Sequence, residues 1–177
     1  MNLIITTLIL LFSLNIYSQD KETEHLKWYT FEEVTELAKT EPRPVLVDIY
    51  TDWCGWCKKM DKATYENPGI IKYMNENYYA IKFNAETKDT VMFHGKEFLN
   101  NRASQRRGSH DLAIALLQGK MSYPTTVFLT GELQLLTAAP GYLDAKKMEP
   151  ILYYFADEAY KNQKFEDFSK GFKSGLE

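Results

Sequence analysis

A nearly continuous run of apolar and β-branched residues, Val45 to Tyr50, is the feature that most constrains the fold of this chain. Only Asp48 interrupts it, and such a run is typical of a strand covered on both faces, as in the centre of an α/β sheet. Cys54 and Cys57 follow, and good helix formers continue from there to about residue 65. The sequence therefore predicts a central strand that leads into a Cys-x-x-Cys pair at the start of a helix.

Further predicted elements alternate on either side of this unit. Thr30 and Glu33 form a capping-box pattern ahead of a short helix, and Ser109 is the predicted cap of another helix that ends before Gly119. The remaining predictions are helices over 70–77 and from 144 onwards, a C-terminal helical tail at about 160–177, and strands over 78–83, 125–130 and 133–137. This order predicts an α/β fold with a mixed central sheet flanked by helices.

The size, charge and cysteine count of the chain limit the functions that it can have. Its 177 residues suit one globular domain, and a net charge of −3 provides no attraction for nucleic acid or an anionic membrane. Both cysteines lie in one four-residue window, so no third thiol can build a framework of structural disulfides. We therefore expect no nucleic-acid partner, and chemistry rather than scaffolding at the cysteine pair.

The first eighteen residues form an apolar run without charged side chains. Its core of about ten to fourteen residues is shorter than the roughly twenty that a membrane span needs, and small Ser18 precedes a polar stretch. We expect residues 1–18 to be a signal peptide and residues 19–177 to be an exported domain, periplasmic or extracellular, with no stable membrane span after cleavage. A buried first helix or strand is the alternative.

The spacing of Cys54 and Cys57 at the start of a helix suits reversible thiol chemistry. Unpaired backbone N–H groups and the helix dipole favour negative charge there, so we expect the pKa of Cys54 to lie below the value of about 8.5 of a free thiol. One helical turn separates the two residues, which is close enough for a disulfide. Cys54 would attack a substrate disulfide, and Cys57 would resolve the mixed disulfide.

Three other uses of a cysteine pair fit this sequence less well. A structural zinc site needs four ligands, whereas there is no second cysteine pair and His25, His94 and His110 are scattered. Covalent haem attachment requires a histidine directly after the second cysteine, where Lys58 stands. An inert disulfide would close only a very short loop and constrain the unfolded chain little. We expect no metal and no cofactor.

The segment from Val47 to Lys58 resembles the active-site segment of the thioredoxin superfamily. Three later features are also similar to that family: Tyr123-Pro124-Thr125 to its cis-proline loop, Lys82-Phe83-Asn84 to its third strand, and Gly141 to the glycine that faces the substrate groove. The resemblance spans roughly residues 45–155. It implies a thioredoxin-like fold and a thiol–disulfide oxidoreductase.

The resemblance also implies roles for residues beside the cysteines. Asp48 would be the buried carboxylate that accepts the proton of Cys57, with Lys82 as its partner; an acid at a strand edge facing solvent is the alternative. Pro124 would be cis and would present the backbone of Tyr123 to a substrate chain, whereas an ordinary trans loop proline would have no such role.

Other residues are assigned to the predicted substrate surface. Trp53 would pack beside the active site or simply in the core, and Trp56 would grip apolar segments or pack on its own helix. Gly55 and Gly141 complete the predicted substrate-binding residues, and Lys58 is assigned a supporting role.

Two departures from the family pattern bear on function. The dipeptide between the cysteines is Gly-Trp rather than Gly-Pro, which leaves the direction of electron flow open. The segment from 86 to 121 is longer than the family's usual link and would be an insert before the cis-proline strand. Its Arg102, Arg106 and Arg107 belong either to a solvated loop or to a docking surface for an acidic partner.

We interpret the chain as a thiol–disulfide oxidoreductase, with disulfide reductase as the first choice, that acts on exported protein substrates and requires a redox partner protein. A disulfide isomerase or oxidase is the alternative. A thioredoxin-fold binding module or chaperone is a third possibility, although a pure binder would not require the cysteines.

Overall fold

A five-stranded sheet with a separate two-stranded hairpin forms the framework of the protein, and the computed structural model describes residues 24–176. The predicted signal peptide lies outside the described residues. The strands are β1 (Trp28–Tyr29), β2 (Val45–Tyr50), β3 (Tyr79–Asn84), β4 (Val91–Phe93), β5 (Lys96–Phe98), β6 (Thr125–Leu129) and β7 (Leu135–Pro140). The α-helices are α1 (Phe31–Leu37), α2 (Gly55–Met60), α3 (Pro68–Asn77), α4 (Asp111–Leu116), α5 (Ala145–Ala156) and α6 (Phe165–Gly171). Between residues 24 and 176, no helix combines the length and apolarity needed to cross a membrane.

The predicted mixed sheet is confirmed, with β2 at its centre. The strand order is β1-β3-β2-β6-β7, in which β2 runs parallel to β3 and antiparallel to β6. This register places Asp48 between Lys82 on one neighbouring strand and Thr126 on the other. The central position of β2 thus brings polar side chains from three strands together.

Alternation along β2 divides its side chains between two cores. Val45, Val47 and Ile49 pack with residues of α1, α4 and the β4–β5 hairpin. Leu46 packs on the opposite face, with residues of α2, α3 and α5. Because successive side chains point to opposite faces, Asp48 shares the face of Leu46, which is the face that the cysteine-bearing helix covers.

The helix that follows the cysteines changes its winding. After α2, residues Asp61–Tyr65 form a π-helical turn, and the buried Thr64 hydroxyl donates a hydrogen bond to the Leu143 carbonyl oxygen at 2.6 Å. Single π-helical turns occur mostly within α-helices and often at functional sites. Here the turn begins at Asp61 and buries Thr64 and Tyr65.

The structure differs from the sequence-based expectations between residues 86 and 121 and near two element ends. The β4–β5 hairpin, turning at His94 and Gly95 with positive φ, was not expected. The predicted cap Ser109 is wrong: α4 is capped by buried His110, whose Nδ1 accepts a hydrogen bond from Leu112 N at 3.2 Å. The strand after β6 also begins at Leu135, two residues later than predicted.

Candidate active site

Cys54 and Cys57 form a disulfide at the start of α2, with their Cα atoms 5.3 Å apart. Both residues are buried. Cys54 is the N-cap of the helix, and its Sγ accepts a hydrogen bond from the Cys57 N–H at 3.0 Å. The Cys54 N–H in turn donates to the Thr51 carbonyl oxygen at 3.0 Å, which fixes the turn from β2 into the helix. The first sulfur therefore lies where backbone N–H groups favour negative charge.

Asp48, Asp61 and Lys82 form an ion cluster on the face of the sheet that α2 covers. We call it the buried ion cluster after Asp48, which is buried, whereas the Lys82 and Asp61 side chains are 24% and 34% exposed. The Lys82 ammonium donates to Asp48 Oδ2 at 2.7 Å and also to Asp61 Oδ1. Asp48 is 1% exposed, and its Oδ1 has no hydrogen-bond partner among residues 24–176. Asp48 thus keeps one buried oxygen available as an acceptor. Its alternative placement at a solvent-facing strand edge is excluded by this burial.

The buried ion cluster shifts the proton affinities of its members. Burial raises the pKa of Asp48 above its usual value, and the nearby Lys82 ammonium only partly opposes this. Burial lowers the pKa of Lys82, but the two carboxylates outweigh that effect and hold it above its usual value. Burial also raises the pKa of the neighbouring Tyr65 hydroxyl well above the usual range. The cluster therefore combines a permanently charged lysine with a carboxyl group that binds a proton more readily than a free aspartate.

Pro124 and Gly141 meet at the edge of the sheet next to β6 and β7. The peptide bond between Tyr123 and Pro124 is cis, and Pro124 is buried. Its carbonyl oxygen accepts a hydrogen bond from the Gly141 N–H at 2.8 Å. Gly141 has a φ of +96°, a conformation that L side chains rarely adopt, so glycine is required there.

Trp53 stands at the rim with Glu86, Arg107 and Tyr123, which together we call the Trp53 wall. Trp53 is 47% exposed. Its indole N–H donates to Glu86 Oε1 at 2.9 Å, and its ring meets that of Tyr123 edge to face with centroids 5.9 Å apart. The Arg107 guanidinium carbon lies 4.0 Å from the centroid of the Trp53 ring. Trp53 therefore faces the rim and does not belong to the core.

Trp56, Lys59 and Tyr142 form a second aromatic surface, the Trp56 wall. Trp56 is 57% exposed, and its ring centroid lies 5.5 Å from that of Tyr142. The Lys59 ammonium sits 4.8 Å from the Trp56 centroid and 5.2 Å from the Tyr142 centroid. Each tryptophan next to a cysteine thus carries a cation on its ring.

Two of the predicted site residues, Gly55 and Lys58, make none of the side-chain contacts described above. Gly55 is exposed, and a Cβ added there would meet nothing within 4 Å, so the position does not require glycine for space. The Lys58 side chain is exposed and joins no ion pair among residues 24–176. Among the other predicted residues, the structure brings Tyr123 against Trp53, Gly141 against Pro124 and Lys82 against Asp48.

Sequence reasoning missed several residues that the fold brings to the site. Asp61 lies four positions after Cys57, and this helical spacing was a signal that a second acid could face the sheet. Glu86, Lys59 and Tyr142 reach the tryptophans, but nothing in the sequence pattern pairs them with those rings. Arg107 was noted only as part of a basic cluster, and its contact with Trp53 spans 54 positions of sequence.

A family model and several curated proteins match this chain. Residues 9–163 match the family model Thioredox_DsbH, described as a protein of unknown function, DUF255. The thiol:disulfide interchange protein DsbD of Salmonella typhimurium is 26% identical over 135 residues, which cover 73% of this chain and 20% of that protein. The chain spans 13–20% of the length of the first curated relatives that it matches.

Solved structures support the predicted thioredoxin-like fold. A thioredoxin-fold protein from Helicobacter pylori has a TM-score of 0.55 at 17% identity, covering 73% of this chain and 79% of its own. A structure described as DsbH oxidoreductase has a TM-score of 0.54 at 16% identity, covering 82% and 92%. The predicted thioredoxin-like fold is confirmed, and the chain is a homologue of thiol–disulfide oxidoreductases that carries a disulfide-forming cysteine pair.

Proposed function

Since this chain belongs to the Thioredox_DsbH family, we propose that it exchanges thiols and disulfides with exported protein substrates, as a disulfide reductase, through Cys54 and Cys57. The observation that carries the proposal is the disulfide at the N-terminus of α2, directly after the central strand and above a buried carboxylate. The apolar run over residues 1–18 supports export after removal of a signal peptide.

The reaction begins with the reduced pair. The Cys54 thiolate attacks one sulfur of a substrate disulfide, forming a mixed disulfide while the other substrate sulfur leaves and takes a proton. Cys57 then attacks Cys54 Sγ, which releases the second substrate thiol and leaves the disulfide between Cys54 and Cys57. Two electrons pass from the pair to the substrate, so a redox partner protein must reduce the pair again.

The hydrogen bond from the Cys57 N–H to Cys54 Sγ supports the choice of nucleophile. A donor 3.0 Å from the sulfur stabilises negative charge on Cys54, and the first turn of the helix adds to it. Cys57 lies inside the first turn of α2 while Cys54 is its N-cap, and this position suits a thiol that attacks only after a mixed disulfide has formed at Cys54.

Asp48 is the proposed proton acceptor for Cys57. It lies on the face of the sheet that α2 covers, and its Oδ1 has no hydrogen-bond partner among the described residues. A carboxyl group whose pKa is raised by burial is better matched to accept a thiol proton than a solvated aspartate. Lys82 holds the other carboxylate oxygen and thereby positions the group.

The substrate chain would lie along the cis-proline loop. The backbone of Tyr123 would pair with an extended substrate segment, while Pro124 and Gly141 shape the edge beside it. Trp53 and Trp56 would contact residues on either side of the substrate cysteine, because both rings are about half exposed.

A Cys57→Ala variant, expressed in the native compartment, tests the proposal. Without the resolving thiol, Cys54 should accumulate mixed disulfides with its substrates, which non-reducing gels and mass spectrometry identify. The matched control is the double variant Cys54→Ala/Cys57→Ala, which should trap nothing. Absence of trapped species in Cys57→Ala, or equal trapping in the control, would contradict the proposed exchange.

A further inference from the structure

Arg107 is an exposed loop residue whose guanidinium lies over the ring of Trp53. Its guanidinium carbon lies 4.0 Å from the centroid of Trp53, the residue that directly precedes Cys54. Trp53 is held in turn by the hydrogen bond to Glu86 and by the edge of Tyr123. The positive charge is thus placed on the ring closest in sequence to the nucleophilic cysteine.

The loop from Asn100 to Gly108, which carries Arg107, is tied to the rest of the domain. The Asn100 amide donates to the Gly108 carbonyl oxygen at 2.9 Å, which joins the two ends of this loop. It also donates to the Thr87 carbonyl oxygen at 2.9 Å, which attaches the loop to the segment after β3. The backbone passes so close to Arg102 that a Cβ on Gly108 would lie 1.7 Å from the Arg102 carbonyl oxygen. Arg107 itself has a φ of 60°, in the left-handed region. These contacts fix the backbone at Arg107, unlike that of a freely solvated loop.

The charge on Arg107 is available to a partner. Among residues 24–176, neither Arg107 nor Lys59 of the Trp56 wall joins a salt bridge, whereas Arg102 is paired with Asp111. Glu86 accepts the indole N–H of Trp53 and forms no salt bridge with Arg107. A guanidinium stacked on a ring keeps its outer N–H groups free for a carboxylate, which it binds in a bidentate manner.

We propose that Arg107, supported by Lys59, makes this protein prefer disulfide substrates that carry aspartate or glutamate beside the reacting cysteine. The occupant of the rim is an extended acidic peptide segment, chosen by charge complementarity to two cations that lie over Trp53 and Trp56, the residues directly before the two cysteines. This inference rests on the proposed function, since it names the substrate class of the same site.

A pair of peptide disulfides tests the preference. The two peptides are identical except for glutamate or glutamine next to the cysteine, and each is mixed with protein that dithiothreitol has reduced and gel filtration has freed of reductant. Each chain transfers two electrons and releases two peptide thiols, which are counted after acid quenching. The ratio of the two rate constants cancels any general change in the reactivity of Cys54.

At low ionic strength the unmodified protein should react about fivefold faster with the glutamate peptide, as expected for unit charges about 4 Å apart in water. The ratio should fall towards one at about 1 M salt. Arg107→Gln should bring it close to one, whereas Arg106→Gln, which removes an exposed neighbouring charge, should leave it unchanged.

Equal rates for both peptides in the unmodified protein would overturn the preference while leaving the proposed exchange intact. A ratio that survives Arg107→Gln would equally overturn the role of this residue. Failure to release thiols from either peptide would instead contradict the proposed function itself.

Discussion

The buried ion cluster and the two aromatic walls both place lysine or arginine near the disulfide, but in opposite surroundings. Lys82 lies beneath it between two carboxylates, while Arg107 and Lys59 lie on half-exposed tryptophan rings without an ion pair among the described residues. Charges in a low-dielectric interior interact strongly and are costly to separate, whereas exposed charges are screened by solvent and salt. Lys82, which is largely buried and pairs with the fully buried Asp48, should therefore control stability and proton transfer, and the exposed cations should control recognition.

Removal of the Lys82 charge, the counter-ion of the buried Asp48, gives the largest expected effect. Lys82→Met leaves Asp48 and Asp61 facing each other without a counter-ion, and should lower the free energy of unfolding by about 3 kcal/mol at pH 7. Without Lys82 the pKa of Asp48 rises further, so the native state binds more protons than the unfolded state, and stability declines as the pH rises towards that folded pKa. Urea unfolding at pH 4.5 and pH 8 should show a much smaller loss at the lower pH.

The matched change on the rim is Lys59→Met. It should alter the free energy of unfolding by less than about 0.5 kcal/mol at either pH, because the ammonium is exposed. A loss as large as that of Lys82→Met would remove the distinction between the two regions.

Neutralisation of the buried acid should change rate and stability in opposite directions. Asp48→Asn should slow the release of substrate from the mixed disulfide about 100-fold, as expected when a general base is lost. Burial raises the folded pKa of Asp48, so its ionised form destabilises the fold at every pH above that value. The variant should therefore be more stable than the unmodified protein by about 1 kcal/mol at pH 8, with the gain vanishing near pH 4.

Single-turnover kinetics and urea unfolding, with exposed Asp52→Asn as the control, check both parts of this prediction. The control should change neither quantity noticeably, because its carboxylate is solvated. A fast-resolving Asp48→Asn variant would show that proton transfer from Cys57 does not depend on the buried cluster.

Removal of the exposed Trp56 ring gives the smallest expected effect. Trp56→Ala should change the free energy of unfolding by less than about 0.5 kcal/mol, because the ring is 57% exposed. It should slow exchange with an unfolded disulfide-containing polypeptide about threefold by removing apolar contact area. Leu135→Ala, at the end of the sheet remote from the cysteines, is the control and should leave that rate unchanged.

The sequence was sufficient to predict the centre of the site because its signals are local. The nearly continuous apolar run of β2 and the i, i+3 spacing of the cysteines are properties of neighbouring residues, and the buried strand and the close cysteine pair were both confirmed. The pairing of Asp48 with Lys82 was also predicted, because the resemblance to the thioredoxin superfamily placed two adjacent strands.

The rim could not be predicted in the same way because it depends on the path of the chain. The β4–β5 hairpin is short, and its residues Val91 and Phe93 are buried against α1, a contact that no local pattern encodes. Asp61 reaches Lys82 through a π-helical turn, and Arg107 reaches Trp53 through a loop closed by the Asn100 amide. Each contact needs the tertiary fold to exist first.

The redox equilibrium of the Cys54–Cys57 pair tests most directly whether the disulfide is a working centre. The folded protein is equilibrated in dithiothreitol buffers of graded potential, free thiols are alkylated and counted, and circular dichroism is recorded on the same samples. We expect one two-electron transition with a midpoint between about −270 and −120 mV, while the protein stays folded throughout. A pair that remains oxidised below about −300 mV, or opens only as the chain unfolds, would mark a structural disulfide and contradict the proposed function.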